Sequence, residues 1–383
     1  MNGHAKASDS PAAAGTGALR RPRRRLSRRS FRAKAEAERQ ATERIDKTDT
    51  LGEPFRPLER GRGHRSAMSL PWLAAAWNGF WFRRVPPHSL AAFRIIFGTY
   101  LLVYFLRFAG DVDVMFSNRG VYVPFLLPDL GLPPFWAWGL YFASLAVITL
   151  FMLGFRTRFI TPALLALYGY YYCLNLAVND TAFDRLNLIF LVVLCFGELD
   201  AAWSICGGRH QRPEEGKSNA RAKPGVALSA PVQPGYGVSV WAIRLITIQV
   251  AFLYFGSGYW KLINPYWHSG EMLRWTLVGP WGTPLAFWFV QLHPPALFFD
   301  VLTWSVIALE MSMPILLFSR RLQLYGFAAG FLFHLSIALL LHIPEFMNCV
   351  CAYVLFVKPE TVQHWGNALF QRLGGFFARL ARG

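Results

Sequence analysis

Cysteine is scarce in this chain. Its five thiols, Cys173, Cys195, Cys206, Cys349 and Cys351, are scattered, mostly within apolar runs. No CxxC pair occurs, since one residue separates Cys349 from Cys351, so neither a disulfide framework nor a thiolate metal site is expected and no metal is predicted. Charge is scarce too, at 16% of residues. HExxH, a glycine-rich phosphate loop and a Ser, His, Asp set with local signatures are all missing, so no metalloprotease, nucleotide-binding or triad chemistry is indicated. No internal repeat of fixed period is visible, which disfavours the common transporter architectures. A cleavable signal pattern is also missing, because the first apolar run begins only near residue 89, behind a long polar segment.

What the chain has is apolar length. Hydrophobic residues make up 54%, with 33 Phe and 14 Trp, and several runs reach the roughly 20 residues that cross a hydrocarbon core of about 30 Å. The expected class is all-α, a polytopic transmembrane helical bundle of about seven to eight spans. The spans read as Leu90–Phe108, Trp136–Leu153, Ile160–Leu176, Leu186–Phe196 with an extension into 180–185, Val238–Trp260, Ala296–Phe318 and Leu324–His342. Phe346–Val357 is a weaker eighth. Around them, residues 1–66 read as a disordered Arg-rich tail and 67–88 as an interfacial helix with an aromatic belt. The transmembrane domain is expected over 89–358, with a polar loop at 199–237. An amphipathic tail follows over 359–383.

The net charge of +17 is not spread over the fold; much of it lies in RRPRRRLSRRSFR at 20–32. Such a cluster binds anionic headgroups at about 1 kcal/mol per residue, or serves as a topogenic tail; nucleic acid is not an expected partner. The other basic segments are Arg156 with Arg158, the 199–237 loop, Arg320 with Arg321, and the C-terminal tail. They alternate with acidic segments carrying Asp111, Asp113, Asp129, Asp180 and Asp184. This pattern predicts an inner-membrane protein with both termini cytoplasmic and Lys261 toward the non-cytoplasmic half.

Lys261 is the anomaly, a cation at the end of an apolar helix in YFGSGYWKLINPYW at 254–267. An ionisable group at membrane depth is a functional candidate by default. Desolvation by Tyr259, Trp260 and Trp267 would make it a general base; the competing reading is an interfacial lysine that snorkels beside tryptophans. Glu310, fourteen residues into its span, is too deep to stay unpaired and is expected to pair with an arginine or carry a proton. His334, in FLFHLSIALL, either hydrogen-bonds a ligand oxygen or makes a helix-packing bond. Asp184 and Arg185 either brace one another or line the mouth of a cavity.

The stretches SLAAFRIIFG at 89–98, FMLGFRTR at 151–158, FDRLNLIFLVVLCFGELDAAWSI at 183–205 and IRLITIQVAFLYFGSGYWKLINPYWHSGE at 243–271 resemble the vitamin K-dependent gamma-carboxylase-like family. This is the HTTM (horizontally transferred transmembrane) domain group found widely in bacteria, and the similarity covers roughly residues 85–358. The resemblance implies a helical bundle with a quinone or hydroquinone pocket. It puts Lys261 at the position of the base that deprotonates the hydroquinone, and matches Phe333 and His334 to a phenylalanine-histidine pair of a later span. Asp184 and Arg185 stand where the animal enzyme has asparagine and histidine, and the large later region of the carboxylase is not found after the last span. The expectation is therefore an oxidase or epoxidase acting on a lipophilic quinol-like substrate, with Lys261 and His334 catalytic and Asp184, Arg185, Tyr259, Trp260 and Trp267 around the substrate. The alternative is a non-enzymatic scaffold, a lipid-binding protein or a transporter. Membrane lipids and a lipophilic small molecule are the expected partners.

Overall fold

A computed structural model of the chain describes residues 70–120, 130–174, 181–206 and 237–380. The Arg-rich tail, Asp129, Asp180 and most of the 199–237 loop lie outside the described residues. Helices dominate. In chain order they are α1 (Leu70–Trp81), α2 (His88–Leu106), α3 (Val112–Phe116), α4 (Pro134–Leu153), α5 (Thr157–Leu174), α6 (Ala182–Cys195), α7 (Trp241–Ile263), α8 (Glu271–Val278), α9 (Pro284–Gln291), α10 (Ala296–Phe318), α11 (Gln323–Leu340), α12 (Asn348–Cys351) and α13 (Pro359–Leu380). Among the described residues one two-residue antiparallel pair, β1 (Arg84–Val85) with β2 (Val238–Ser239), ties the approach to α2 to the approach to α7.

Among the described residues, five segments are long and apolar enough to cross a membrane: His88–Gly110, Pro134–Leu153, Trp241–Ile263, Ala296–Phe318 and Gln323–Leu340. Of the seven to eight expected spans, these five meet the measure of length and composition. The third and fourth expected spans form as helices but fall short of that measure. α6 has only 14 residues, about 21 Å at 1.5 Å per residue, and α5 carries Arg158, two threonines and four tyrosines. The eighth candidate breaks into a 3-10 turn at Pro344–Met347, the four-residue α12 and a second 3-10 turn at Ala352–Phe356.

The long helices are apolar all round, as a lipid-facing bundle requires. Large side chains such as Phe252, Ile315, Leu324 and Leu332 stay exposed on the bundle surface, where hydrocarbon is their natural solvent. Inside, α2 packs on α4, α5 on α6, α6 on α7 and α10 on α7 and α11, while the broken segment 344–356 lies against α2 and α7. One hydrophobic core joins these elements, from Phe93, Phe97 and Phe190 to Tyr254, Met313 and Tyr353. A smaller cluster of Leu277, Ala286 and Phe299 seats the α8–α9 hairpin on the start of α10. Sequence reading missed this hairpin, because two eight-residue helices carry no length signal.

Local sequence sets the ends of these helices. α4 stops at Gly154, whose φ of 75° no β-carbon tolerates well, with Phe155 and Gly154 amides closing on the Leu150 and Phe151 carbonyls; this is the glycine C-cap. α6 starts at Thr181, whose hydroxyl accepts from the Asp184 amide and donates to its carboxylate, a variant of the capping box. α7 and α10 approach closely because Gly258 lies between them. A β-carbon there would fall 2.9 Å from the Met311 nitrogen and 3.0 Å from the Glu310 Cβ, so any side chain at 258 forces the two helices apart.

Candidate functional site

One face of α7 carries Tyr254, Ser257 and Lys261 at spacings of three and four, which puts them in one row. Glu310 faces that row from α10 and His334 from α11. Pro314 lies four residues past Glu310 inside α10; its missing N–H leaves the Glu310 carbonyl without its ordinary helical donor and loosens the helix at this depth.

The walls enclose a cavity of about 700 Å³, within the range of small-molecule sites. It is mostly apolar. Phe252, Leu253, Phe333, Ile337, Leu341 and Phe346 supply much of the lining, and Leu273 and Thr276 of α8 close one end. Phe252 and Gly256 line the cavity and are also exposed on the bundle surface, so it opens laterally where α7 faces lipid.

Two polar groups punctuate this lining. In the first, the Lys261 ammonium donates to both Glu310 carboxylate oxygens, at 2.8 and 2.6 Å, and to the Ser257 hydroxyl at 2.7 Å. Ser257 in turn donates to Glu310 at 3.2 Å. The pair is secluded, with side-chain exposures of 14% for Lys261 and 5% for Glu310. The Trp267 ring centroid stands 5.2 Å from the ammonium, within cation–π range. The partner of Glu310 is thus a lysine, 49 residues back in the chain, and not the arginine expected from sequence.

In the second group the Tyr254 hydroxyl sits 2.5 Å from His334 Nε2 and 2.7 Å from the Tyr353 hydroxyl. His334 and Thr303 are buried, and His334 Nδ1 and Thr303 Oγ1 have no hydrogen-bond partner. Buried polar atoms left unpaired cost about 1–3 kcal/mol each, so both are orphaned unless something in the cavity meets them. Tyr254, Tyr353 and Thr303 escaped sequence reading. Tyrosine in an apolar run is common, and only their convergence distinguishes these.

The other predicted residues are placed as follows. Trp267 lines the cavity with Lys261 and His334. Tyr259 and Trp260 are 50% and 59% exposed on the outer face of α7 and are not among the lining residues; helical phase turns them about 160° and 100° away from Lys261. Asp184 is buried elsewhere, accepting from Tyr168 at 2.6 Å, Thr181 at 2.7 Å and Tyr104 at 3.2 Å. Arg185 is exposed on α6 and also lies outside the lining. The neighbour Ala182 does reach the cavity wall.

Asp184 belongs to a second polar network behind the cavity. Asn187 donates to the Tyr168 hydroxyl, and Asn348 donates to Asn187 and to the Phe183 carbonyl at 3.0 and 2.9 Å. Tyr100 donates to the Glu345 carbonyl, and Arg107 pairs with the Glu345 carboxylate. The broken segment therefore presents Glu345 and Asn348 to this network and Phe346, Cys349 and Tyr353 to the cavity side.

Among the described residues, no group of His, Cys, Asp or Glu is arranged to hold a metal ion. A family model described as the HTTM domain matches residues 227–361. That stretch holds α7 to α11 and segment 344–356, the elements that build nearly all of the cavity. No curated protein and no solved structure matches the chain. Residues 227–361 are thus similar to the HTTM domain, and the apolar helices make the chain a membrane-embedded protein.

Proposed function

We propose that the chain is a membrane enzyme that binds a lipophilic, quinol-like substrate in the cavity between α7, α10 and α11, with Lys261 handling a substrate proton. The observation that carries this reading is a buried Lys261–Glu310 pair inside an otherwise apolar cavity that opens toward lipid. Proton transfer from Nζ to Glu310 turns the ion pair into a neutral pair with no net change in charge. The amine, held by Ser257, then takes a hydroxyl proton from the substrate. The resulting ammonium faces the oxyanion, and an external oxidant such as dioxygen must accept the electrons for the oxidase or epoxidase outcome. The unpaired His334 Nδ1 and Thr303 Oγ1 suit a ligand that carries oxygen atoms.

One observation favours a second reading, a structural brace. Both Glu310 oxygens and Ser257 accept all three of the ammonium's donors, so the pair also ties α7 to α10 with nothing left over.

Organic extraction of the purified protein, followed by mass spectrometry, tests the enzyme reading. We expect an oxygen-bearing aromatic lipophile, retained roughly tenfold less by Tyr254→Phe and His334→Ala, as loss of about one buried hydrogen bond implies. A folded preparation that yields only bulk phospholipid, and neither binds nor oxidises an added naphthoquinol, overturns it. The loop charges support an inner-membrane seat with both termini cytoplasmic. Residues 1–66 are then expected to resist protease added outside sealed right-side-out vesicles, and their cleavage there reverses the orientation.

A further inference from the structure

The α8–α9 hairpin carries a second, separate recess of about 290 Å³. Arg274, Gln291 and His293 supply its polar side, and Val278, Phe287 and Phe299 its apolar side. No carboxylate lines it. Arg274 approaches Glu271 at 3.8 Å, with both side chains more than half exposed, a separation and exposure at which an ion pair contributes little and leaves most guanidinium donors free. Among the described residues the Gln291 and His293 side chains have no hydrogen-bond partner. His293 also holds a φ of 51°, a left-handed conformation that non-glycine residues adopt at a cost and that concentrates at ligand-holding turns.

The surroundings select the source of the anion. Trp275, Trp281 and Trp288 of this hairpin are 68%, 56% and 57% exposed, and tryptophan so placed on a membrane protein sits at headgroup depth. A planar guanidinium with amide and imidazole donors recognises a phosphate, and the adjoining Val278 and Phe287 suit the first methylenes of acyl chains. We infer that this recess binds the phosphodiester headgroup of a membrane phospholipid, pinning the hairpin to the bilayer surface. The placement matters because α8 is a shared wall: Leu273 and Thr276 face the large cavity while Arg274 and Val278 face the recess.

The test is native mass spectrometry of the full chain in detergent, titrated with phosphatidylglycerol and, separately, with a phosphate-free glycosyl diacylglycerol of the same chains. Wild type is expected to retain one phosphatidylglycerol in preference to the glycolipid. Arg274→Gln and the double change Arg274→Gln with His293→Ala should weaken retention about tenfold or more, as loss of a charge-assisted contact implies. Unchanged melting of the variants shows that they fold. Equal retention of both lipids, or retention unaffected in Arg274→Gln, overturns the site. Displacement of the lipid by millimolar inorganic phosphate assigns the recess to free phosphate and overturns the lipid assignment.

Discussion

Lys261→Met alone is expected to destabilise the protein by about 3–5 kcal/mol, because it leaves the Glu310 carboxylate buried without its cation. Glu310→Leu alone should cost a similar amount by stranding the ammonium. The double change, Lys261→Met with Glu310→Leu, should return stability to within about 1–2 kcal/mol of wild type, since a packed apolar pair replaces two desolvated charges. Unfolding in mixed micelles, followed by tryptophan fluorescence, reads all three. The cycle also separates the two readings of the pair. If Lys261 handles a substrate proton, the double variant is stable yet inactive toward the quinol. A double variant that is stable and keeps full turnover leaves the pair as a brace and removes the enzyme reading's main support. Additive single effects, with no recovery in the double, would mean that the two side chains do not form the pair described.

Arg94→Ala is expected to be comparably severe, at about 3–5 kcal/mol, through a different mechanism. Arg94 is fully buried in α2 and donates to the Leu199 and Trp203 carbonyls. These fold the 196–206 turn back against α2, where Trp203 meets His88 edge to face at 5.2 Å. Removal takes the guanidinium donors from two carbonyls, at about 1–3 kcal/mol each, and opens a void. Arg94→Lys should recover only part of this, since one ammonium cannot span both acceptors in the guanidinium's fork. The measurement is the melting temperature of purified protein with its yield from membranes. A melt of Arg94→Ala within about 1 kcal/mol of wild type would show that the turn is held by something else.

Particular residues show how far the fold and the site could be read from sequence. The apolar runs gave the five long helices to within about three residues at each end, and Ala296–Phe318 matches in full, because membrane-length hydrophobicity is a strong one-dimensional signal. The shortfall came where elements are held by neighbours instead of length: the α8–α9 hairpin, and segment 344–356, whose 3-10 turns no apolar count distinguishes from a span. The site was legible as single anomalies. Lys261, Glu310 and His334 each stood out as polar groups too deep to ignore. Their partners did not, because a contact across 49 or 80 residues depends on helix phase and packing that one sequence does not state. Proximity along the chain misled in the same way for Tyr259 and Trp260, next to the lysine in sequence and on another face in space.

Segment 344–356 bears on how this molecule can be taken apart. It falls inside the matched stretch 227–361 and contributes Phe346 and Cys349 to the cavity wall, yet its polar anchors lie far upstream: Phe183 and Asn187 hold Asn348, while Tyr100 and Arg107 hold Glu345. The domain recognised by its sequence is thus not a free-standing module. The upstream helices α2 and α6 serve it as a keel, and a transplant of residues 227–361 onto a foreign scaffold would carry the lysine and histidine along but leave one wall of their chamber unmoored.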